Sequence, residues 1–284
     1  MCKIPFTIIG LFISLTIVVN AQPTQTFREW NQPMEPCHIA GPVYYVGVSQ
    51  VTSLLITTKE GHILIDGAFA ESATMILNNI RKLGFKPEDI KILLSTHAHI
   101  DHAAGLAELK AKTKARLYVG AADSALMASG GRNDFAFGNK LTFPPVKPDV
   151  LVKDGDEVKL GDIIVRAVET PGHTKGCITW TFTINDNGKL LHVVMNGGMS
   201  APDYILVNNK KYPNIVSDYE NTFAKLKKLP CDIPIEGHGF FFNLKDKAAG
   251  RKSFIDPEGY FASIARAEKA FHEVLDKQIA QSKK

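Results

Sequence analysis

The chain has 284 residues, 45% of them hydrophobic, enough to bury a large core and to argue against disorder. Its formal charge of +4 is mild, and Lys227-Lys228 and Arg251-Lys252 are short, interrupted pairs that read as solvated faces. Binding of nucleic acid or of a membrane surface is therefore set aside.

Residues 1–21 carry the marks of a secretory signal: Lys3, an almost wholly apolar stretch over 4–19, and small residues for cleavage at Val19-Asn20-Ala21. That stretch is shorter than the roughly 20 residues a spanning helix needs, so cleavage is expected, with an uncleaved anchor as the competing reading. The mature chain, 22–284, is read as a single domain in the periplasm or secreted. It keeps Cys37, Cys177 and Cys231, an odd number for an oxidising compartment. At least one thiol must stay free or pair outside the chain, and a Cys177–Cys231 bridge is one open pairing.

Over 43–66, short β-rich runs at 44–46, 54–56 and 62–65 alternate with turns and predict a strand meander. Residues 71–83 place Ala73, Met75, Ile76, Ile80 and Leu83 at helical spacing, and Gly84 stands ready to cap that helix. An apolar run over 90–94 leads into Thr96-His97-Ala98-His99-Ile100-Asp101-His102. A helix over 103–112, a strand over 117–119 and a helix over 121–128 follow. Such alternation implies an α/β arrangement.

Residues 129–149 break the pattern with three Gly, three Pro and Phe135, Phe137 and Phe143, as expected of a flap over a site. Strands are predicted at 157–160, 163–168, 178–184 and 190–195, the last two joined through Asn185-Asp186-Asn187-Gly188. Ser217-Asp218-Tyr219-Glu220 reads as a capping box opening a helix to Leu229, and Asp256-Pro257 opens a final helix to about Gln281.

The chemistry is concentrated at His97-Ala98-His99-Ile100-Asp101-His102. Residues two apart in an extended segment share a side, so His97 and His99 can converge on one ion. Asp101 and His102 fall where the strand yields to a helix and point elsewhere, toward a second ion. One histidine near a strand is more often a satisfied core residue than a ligand. Four potential ligands within six residues are different, because burying them without metal leaves too many polar groups unpaired. His173, in Thr170-Pro171-Gly172-His173-Thr174, and His238, between Gly237 and Gly239, are each weak signals alone. Together they complete six ligands, three for each of two ions.

With these motifs the chain resembles the metallo-β-lactamase superfamily over essentially all of its mature length. The specific residues are the cluster at 97–102 and Pro171-Gly172-His173-Thr174. Ile39-Ala40-Gly41, Tyr44-Tyr45-Val46-Gly47, Gly130-Gly131-Arg132-Asn133-Asp134-Phe135, Phe143-Pro144-Pro145 and Leu229-Pro230-Cys231-Asp232-Ile233 look like its third subclass. The resemblance implies an α/β fold, a four-layer αββα sandwich of two mixed β-sheets flanked by helices. It implies two Zn2+ ions, one held by His97, His99 and His173, the other by Asp101, His102 and His238.

The activity implied is hydrolysis of the amide bond of penicillins, cephalosporins and carbapenems by a hydroxide between the zincs. His97, His99, His173 and Asp101 would form the catalytic set. A monomer is expected, with a small-molecule β-lactam as its only partner. Ser200, Gly198 and Phe135 are the expected substrate contacts. Ser200 suits a substrate carboxylate or else a turn before Ala201-Pro202, and Gly198 stands where the subclass often has Ser, as Lys175 stands where it often has Pro. Asp66 is either an orienter of a ligand or a strand-end carboxylate. Subclasses with a Cys ligand would place it near 196–198, where this chain has none. Thioesterases and lactonases of the superfamily typically carry a metal-bridging Asp at the end of the run Val193-Val194-Met195-Asn196-Gly197-Gly198, which has no Asp. The redox di-iron branch usually has Glu in place of His99. A lactonase or other ester hydrolase, and a non-catalytic zinc-binding protein, are the alternatives.

Overall fold

The apolar runs pair into two β-sheets that face each other. The computed structural model describes residues 24–283, and the expected signal segment lies outside them. A short helix, α1 (Gln25–Trp30), precedes the first sheet, whose seven strands lie side by side in chain order. They are β1 (Cys37–Ala40), β2 (Val43–Tyr45), β3 (Leu54–Thr58), β4 (Gly61–Ile65), β5 (Ile90–Leu94), β6 (Arg116–Gly120) and β7 (Val150–Val152). Pairing is antiparallel from β1 to β4 and parallel from β4 to β7. Parallel neighbours need a crossover. Helix α2 (Ser72–Lys82) supplies the first, α3 (Ile100–Ala103) and α4 (Leu106–Thr113) the second, and α5 (Ser124–Ser129) lies in the third.

The second sheet runs β8 (Glu157–Leu160), β9 (Ile163–Glu169), β10 (Ile178–Asp186), β11 (Lys189–Met195) and β12 (Ile233–Ile235). Only its last pair is parallel, and α6 (Ile215–Leu226) makes that crossover. Helices α7 (Leu244–Ala248) and α8 (Pro257–Ser282) follow. Both sheets are mixed and helices cover their outer faces, as the αββα expectation requires.

Three buried clusters hold the layers. Between the sheets, Leu54, Ile56, Ile63 and Ile65 meet Val165, Ala167, Trp180, Phe182 and Val193. On the outer face of the first sheet, Ile76, Ile80, Leu106 and Leu109 of the helices cover Leu55, Leu64, Leu93 and Leu117. Beyond the second sheet, Tyr219, Phe223, Ile264 and Phe271 pack with Val194. Because β4 is covered on both faces, all five of its residues are buried, which is why its stretch 63–65 is continuously apolar rather than alternating. Trp180 has the largest side chain of the core, and its indole Nε1–H donates to Ser95 O at 3.1 Å. This bond pins β10 to the segment leaving β5, two residues before His97.

Two helix starts test the capping signals. Asp256 caps α8, accepting from Gly259 N at 3.0 Å, and the buried Lys247 ammonium stands 3.0 Å from the same side chain. The expected capping box at 217–220 is not a helix start: α6 begins at Ile215, and the Ser217 hydroxyl donates back to Asn214 O at 2.9 Å. Hydrophobic Ile215 is fully buried, so packing extends the helix backward past the polar signal. The helix also stops at Leu226, short of Leu229. No Cys177–Cys231 bridge forms: Cys37, Cys177 and Cys231 are all free thiols. Among the described residues, no helix is long and apolar enough to cross a membrane.

Candidate metal centre

After β5 the chain stays extended through His99, whose φ of −99° and ψ of 155° place it at the entry to α3. His97 and His99 therefore share one side, while the first turn of α3 swings Asp101 and His102 away. His173 arrives from the loop between β9 and β10, and His238 from the turn after β12. In that first loop Gly172 has a φ of +133°, and a Cβ there would lie 2.8 Å from the Tyr219 ring, so the turn before His173 requires glycine. The result is two sets of donors, His97, His99 and His173 in one and Asp101, His102 and His238 in the other, each with its donor atoms within 4.8 Å of one another.

Hydrogen bonds on the outer side of four of the five rings fix which nitrogen points inward. Thr96 Oγ1 donates its proton to Asp66 Oδ2 at 2.6 Å, so the 3.0 Å contact with His97 is made by Nδ1–H donating to that oxygen. His173 Nδ1–H donates to Ser200 O at 2.7 Å, and His238 Nδ1–H to Gln50 O at 3.2 Å. His102 Nδ1–H donates to Asp66 Oδ2 at 3.3 Å. His99 is reversed: its Nε2 faces the buried Asp134 Oδ2 at 3.8 Å and its Nδ1 turns inward. Each tautomer leaves a lone pair aimed at the centre. His97 Nε2 has no protein partner, and His99 Nδ1 and His173 Nε2 sit 3.1 Å apart with lone pairs facing. Such facing lone pairs repel unless a cation lies between them, so the donors fit a metal.

Electrostatics agree. Burial and the neighbouring imidazoles hold His97 well below its ordinary pKa, His173 at about 3 and His238 at about 4, so all three are neutral near pH 7. Burial also opposes a charge on His102, but Asp101 and Asp66 overrule it and raise that ring. Asp101 resists its own burial through His102, His238 and His99, and its carboxyl lies below the usual range. A neutral imidazole with a free lone pair and an ionised carboxylate are the forms that bind a cation.

These shifts predict how the metal-free protein responds to acid. An unfolded imidazole takes a proton near 6.5, whereas folded His173 and His238 wait until about 3 and about 4. The unfolded chain thus binds more protons in between, and stability falls as pH drops below about 6.5. His102, shifted the other way, offsets part of this. The melting temperature of chelator-treated protein should be lower at pH 5 than at pH 7. A midpoint equal or higher at pH 5 would show that the rings are not held neutral.

Among the surrounding residues, Asp66 is the orienter weighed from sequence: buried, in the left-handed region at φ 62°, it accepts from Thr96 N at 2.7 Å as well as from Thr96 Oγ1 and His102. Two others, Asp123 and Trp30, carried no sequence signal, and Asp134 was marked only as part of the run 130–135, with no role of its own. Asp123 accepts from Ala98 N, Thr174 Oγ1 and Gly176 N and so joins the two ligand loops. Asp134 backs His99, and Trp30 of α1 packs 4.7 Å from the His238 ring. A lone aspartate in a loop and a tryptophan before the first strand have no pattern that marks them.

The expected substrate contacts divide. Ser200 is exposed and lines a cavity of about 430 Å3 together with His97, His102, His173 and His238. Gly198 lines it as well, but a Cβ there would fall 2.7 Å from His173 Cδ2, so this position offers room and not a hydroxyl. Phe135 does not face the donors; it packs edge-on against Tyr204 and Tyr212, each at 5.0 Å. Phe137 takes the place expected of it, 5.4 Å from the His99 ring. Residues 135–137 form a turn closed by the paired Asp134 and Gly138, from which Phe135 leaves toward Tyr204 and Tyr212 and Phe137 toward His99. Lys175 bonds Lys211 O at 2.8 Å and lies over the Tyr212 ring, tying the His173 loop to 209–212.

A family model described as the metallo-beta-lactamase superfamily matches residues 46–186. Among solved structures, the native metallo-beta-lactamase from Legionella gormanii is 40% identical, with a TM-score of 0.85, covering 87% of this chain and 98% of that one. A subclass B3 metallo-beta-lactamase of Bradyrhizobium japonicum is 37% identical at a TM-score of 0.84, covering 90% and 99%. A hydroxyacylglutathione hydrolase of Rhodopseudomonas palustris is 30% identical over 134 residues, 45% of this chain. The chain spans only 44% of that curated relative's length.

Proposed function

Because the chain belongs to the metallo-beta-lactamase superfamily, we propose that it is a di-zinc β-lactamase that opens the amide bond of β-lactam antibiotics, acting as a monomer in the periplasm or outside the cell. The observation that carries this reading is the pair of three-donor sets, lone pairs inward, four of whose members, His97, His102, His173 and His238, line one cavity of about 430 Å3, a size suited to a drug-sized ligand. His97, His99 and His173 would hold one zinc and Asp101, His102 and His238 the other. Bound at these donors, zinc supplies a water acidified toward neutrality and a Lewis acid for the carbonyl.

The chain's own groups do the rest. Thr96 Oγ1, Asp66, Ser200 O and Gln50 O hold four of the rings in the tautomer the donors require, and the Asp134 carboxylate faces the fifth, His99, at 3.8 Å. Among the described residues the Ser200 hydroxyl makes no hydrogen bond, and it is placed to donate to a substrate carboxylate. Phe137 covers the His99 side and narrows water's access there. Near full-length likeness to β-lactamases at 37–40% identity supports this substrate over a thioester, where the likeness is 30% over less than half the chain.

Purified mature protein should hydrolyse nitrocefin, lose that activity to a chelator, regain it with zinc and ignore clavulanate. Turnover of a glutathione thioester or a lactone orders of magnitude faster than any penicillin, cephalosporin or carbapenem would replace this reading with the ester-hydrolase one.

A further inference from the structure

The cavity does not end at the donors. Its far wall is one face of α8, from which Ser263, Arg266, Ala267, Ala270, Phe271 and Val274 contribute at helical spacing. Ala267 and Ala270 leave that arm open where larger side chains would close it. Arg266 is the only Lys or Arg among the lining residues. It is exposed, and among the described residues it forms no hydrogen bond or ion pair. The neighbouring Glu236 is buried and its Oε1 accepts from the Ser263 hydroxyl at 2.7 Å; the Arg266 charge acts on this carboxyl through space, without a hydrogen bond to it. A guanidinium with all its donors free, at the rim of a reaction cavity, is a reader of anions.

The shape of a bicyclic β-lactam says which anion. With the ring carboxylate at Ser200, the adjoining ring carbon would face the arm lined by Ala201, Pro202 and α8. The acyl side chain leaves from the opposite end of the bicycle, toward His99 and Phe137, neither of which lines this cavity. Resting on the β-lactam reading, we infer that Arg266 is a specificity-determining residue that favours cephalosporins with an acidic substituent at C3. It binds that group outside the reacting centre, so its contribution is the same in ground and transition states and belongs in KM.

Cefotaxime and ceftriaxone test this, because they share an acyl side chain and differ at C3, neutral in the first and anionic at neutral pH in the second. In the zinc-loaded protein, Arg266→Ala should raise KM for ceftriaxone roughly three- to fivefold, the scale of an exposed ion pair, with kcat unchanged. Cefotaxime should be unaffected, Arg266→Lys should recover most of the loss, and added salt should erase the difference between wild type and variant. Calorimetry on the metal-free protein, which leaves the drugs intact, should show the same preference for ceftriaxone without turnover. Equal KM changes for both drugs would mean that Arg266 reads the ring carboxylate, and no change for either would mean a solvated surface cation; each overturns the inference. Hydrolysis of neither drug by wild type would instead remove the β-lactam reading on which it rests.

Discussion

Asp101→Ala is expected to lower kcat roughly 100- to 1,000-fold while KM moves little. Asp101 is the one anion among the six donors, and its Oδ2 lies 3.6 Å from His102 Nε2 and 3.4 Å from His238 Nε2. Its carboxyl is kept ionised by His102, His238 and His99 against the cost of burial, so it is a standing negative charge in the set. Alanine leaves two neutral-binding imidazoles and a hole. A metal's share of transition-state charge stabilisation is several kcal/mol, and each 1.36 kcal/mol is about a factor of ten in rate. Zinc content should fall from two toward one, because His97, His99 and His173 are a separate and complete set. Elemental analysis beside steady-state kinetics on nitrocefin reads both effects. Two tightly held zincs with kcat within about threefold of wild type would show that Asp101 is not a ligand.

Asp123→Ala should be the most destabilising single change near the site. Its carboxylate is buried and takes three hydrogen bonds, from Ala98 N at 3.0 Å, Thr174 Oγ1 at 2.6 Å and Gly176 N at 2.7 Å. Burial pushes its carboxyl above the usual range, and the donors from Thr174, Gly176 and Ala98 pull it back. Ala98 lies between His97 and His99, and Thr174 follows His173, so one side chain sets the spacing between the loops that carry one donor set. Removing it strands buried donors at about 1 to 3 kcal/mol each, a total of roughly 3 to 5 kcal/mol. For a chain of this size that is about 10 °C or more in melting temperature. Zinc affinity should fall with it, since the three histidines lose their common brace. Asp123→Asn, which keeps an acceptor for one or two of the donors, should lose less. A melting temperature within about 2 °C of wild type for the alanine variant would show that the loops are held without Asp123.

The four donors at 97–102 were legible in the sequence because their spacing is local. His97, His99, Asp101 and His102 follow from an extended segment running into a helix turn, and no distant residue can alter which of them share a side. The main strands were legible for the same reason: 54–58, 61–65 and 178–186 carry long apolar or alternating runs. Short strands such as Val150–Val152 and Ile233–Ile235 have only three residues each, too few to show a period, and exist because a neighbour offers them a ladder.

What the sequence by itself determined is the four donors at 97–102, the α/β alternation and the short motifs around His173 and His238, each a property of residues near one another in the chain. The tertiary structure decided what faces those donors. Asp123, Asp134 and Gln50 reach the ligands from segments 25 to 188 residues away, joined only by packing. Phe137 rather than Phe135 turns to His99 because Tyr204 and Tyr212, far along the chain, occupy Phe135. Arg266 enters the cavity because Ile264 and Phe271 seat α8 against the second sheet's outer cluster, and that seating fixes which face of the helix looks in. Local spacing fixes the direction of a side chain within its own segment, but only the burial of apolar surface between segments fixes what that side chain meets.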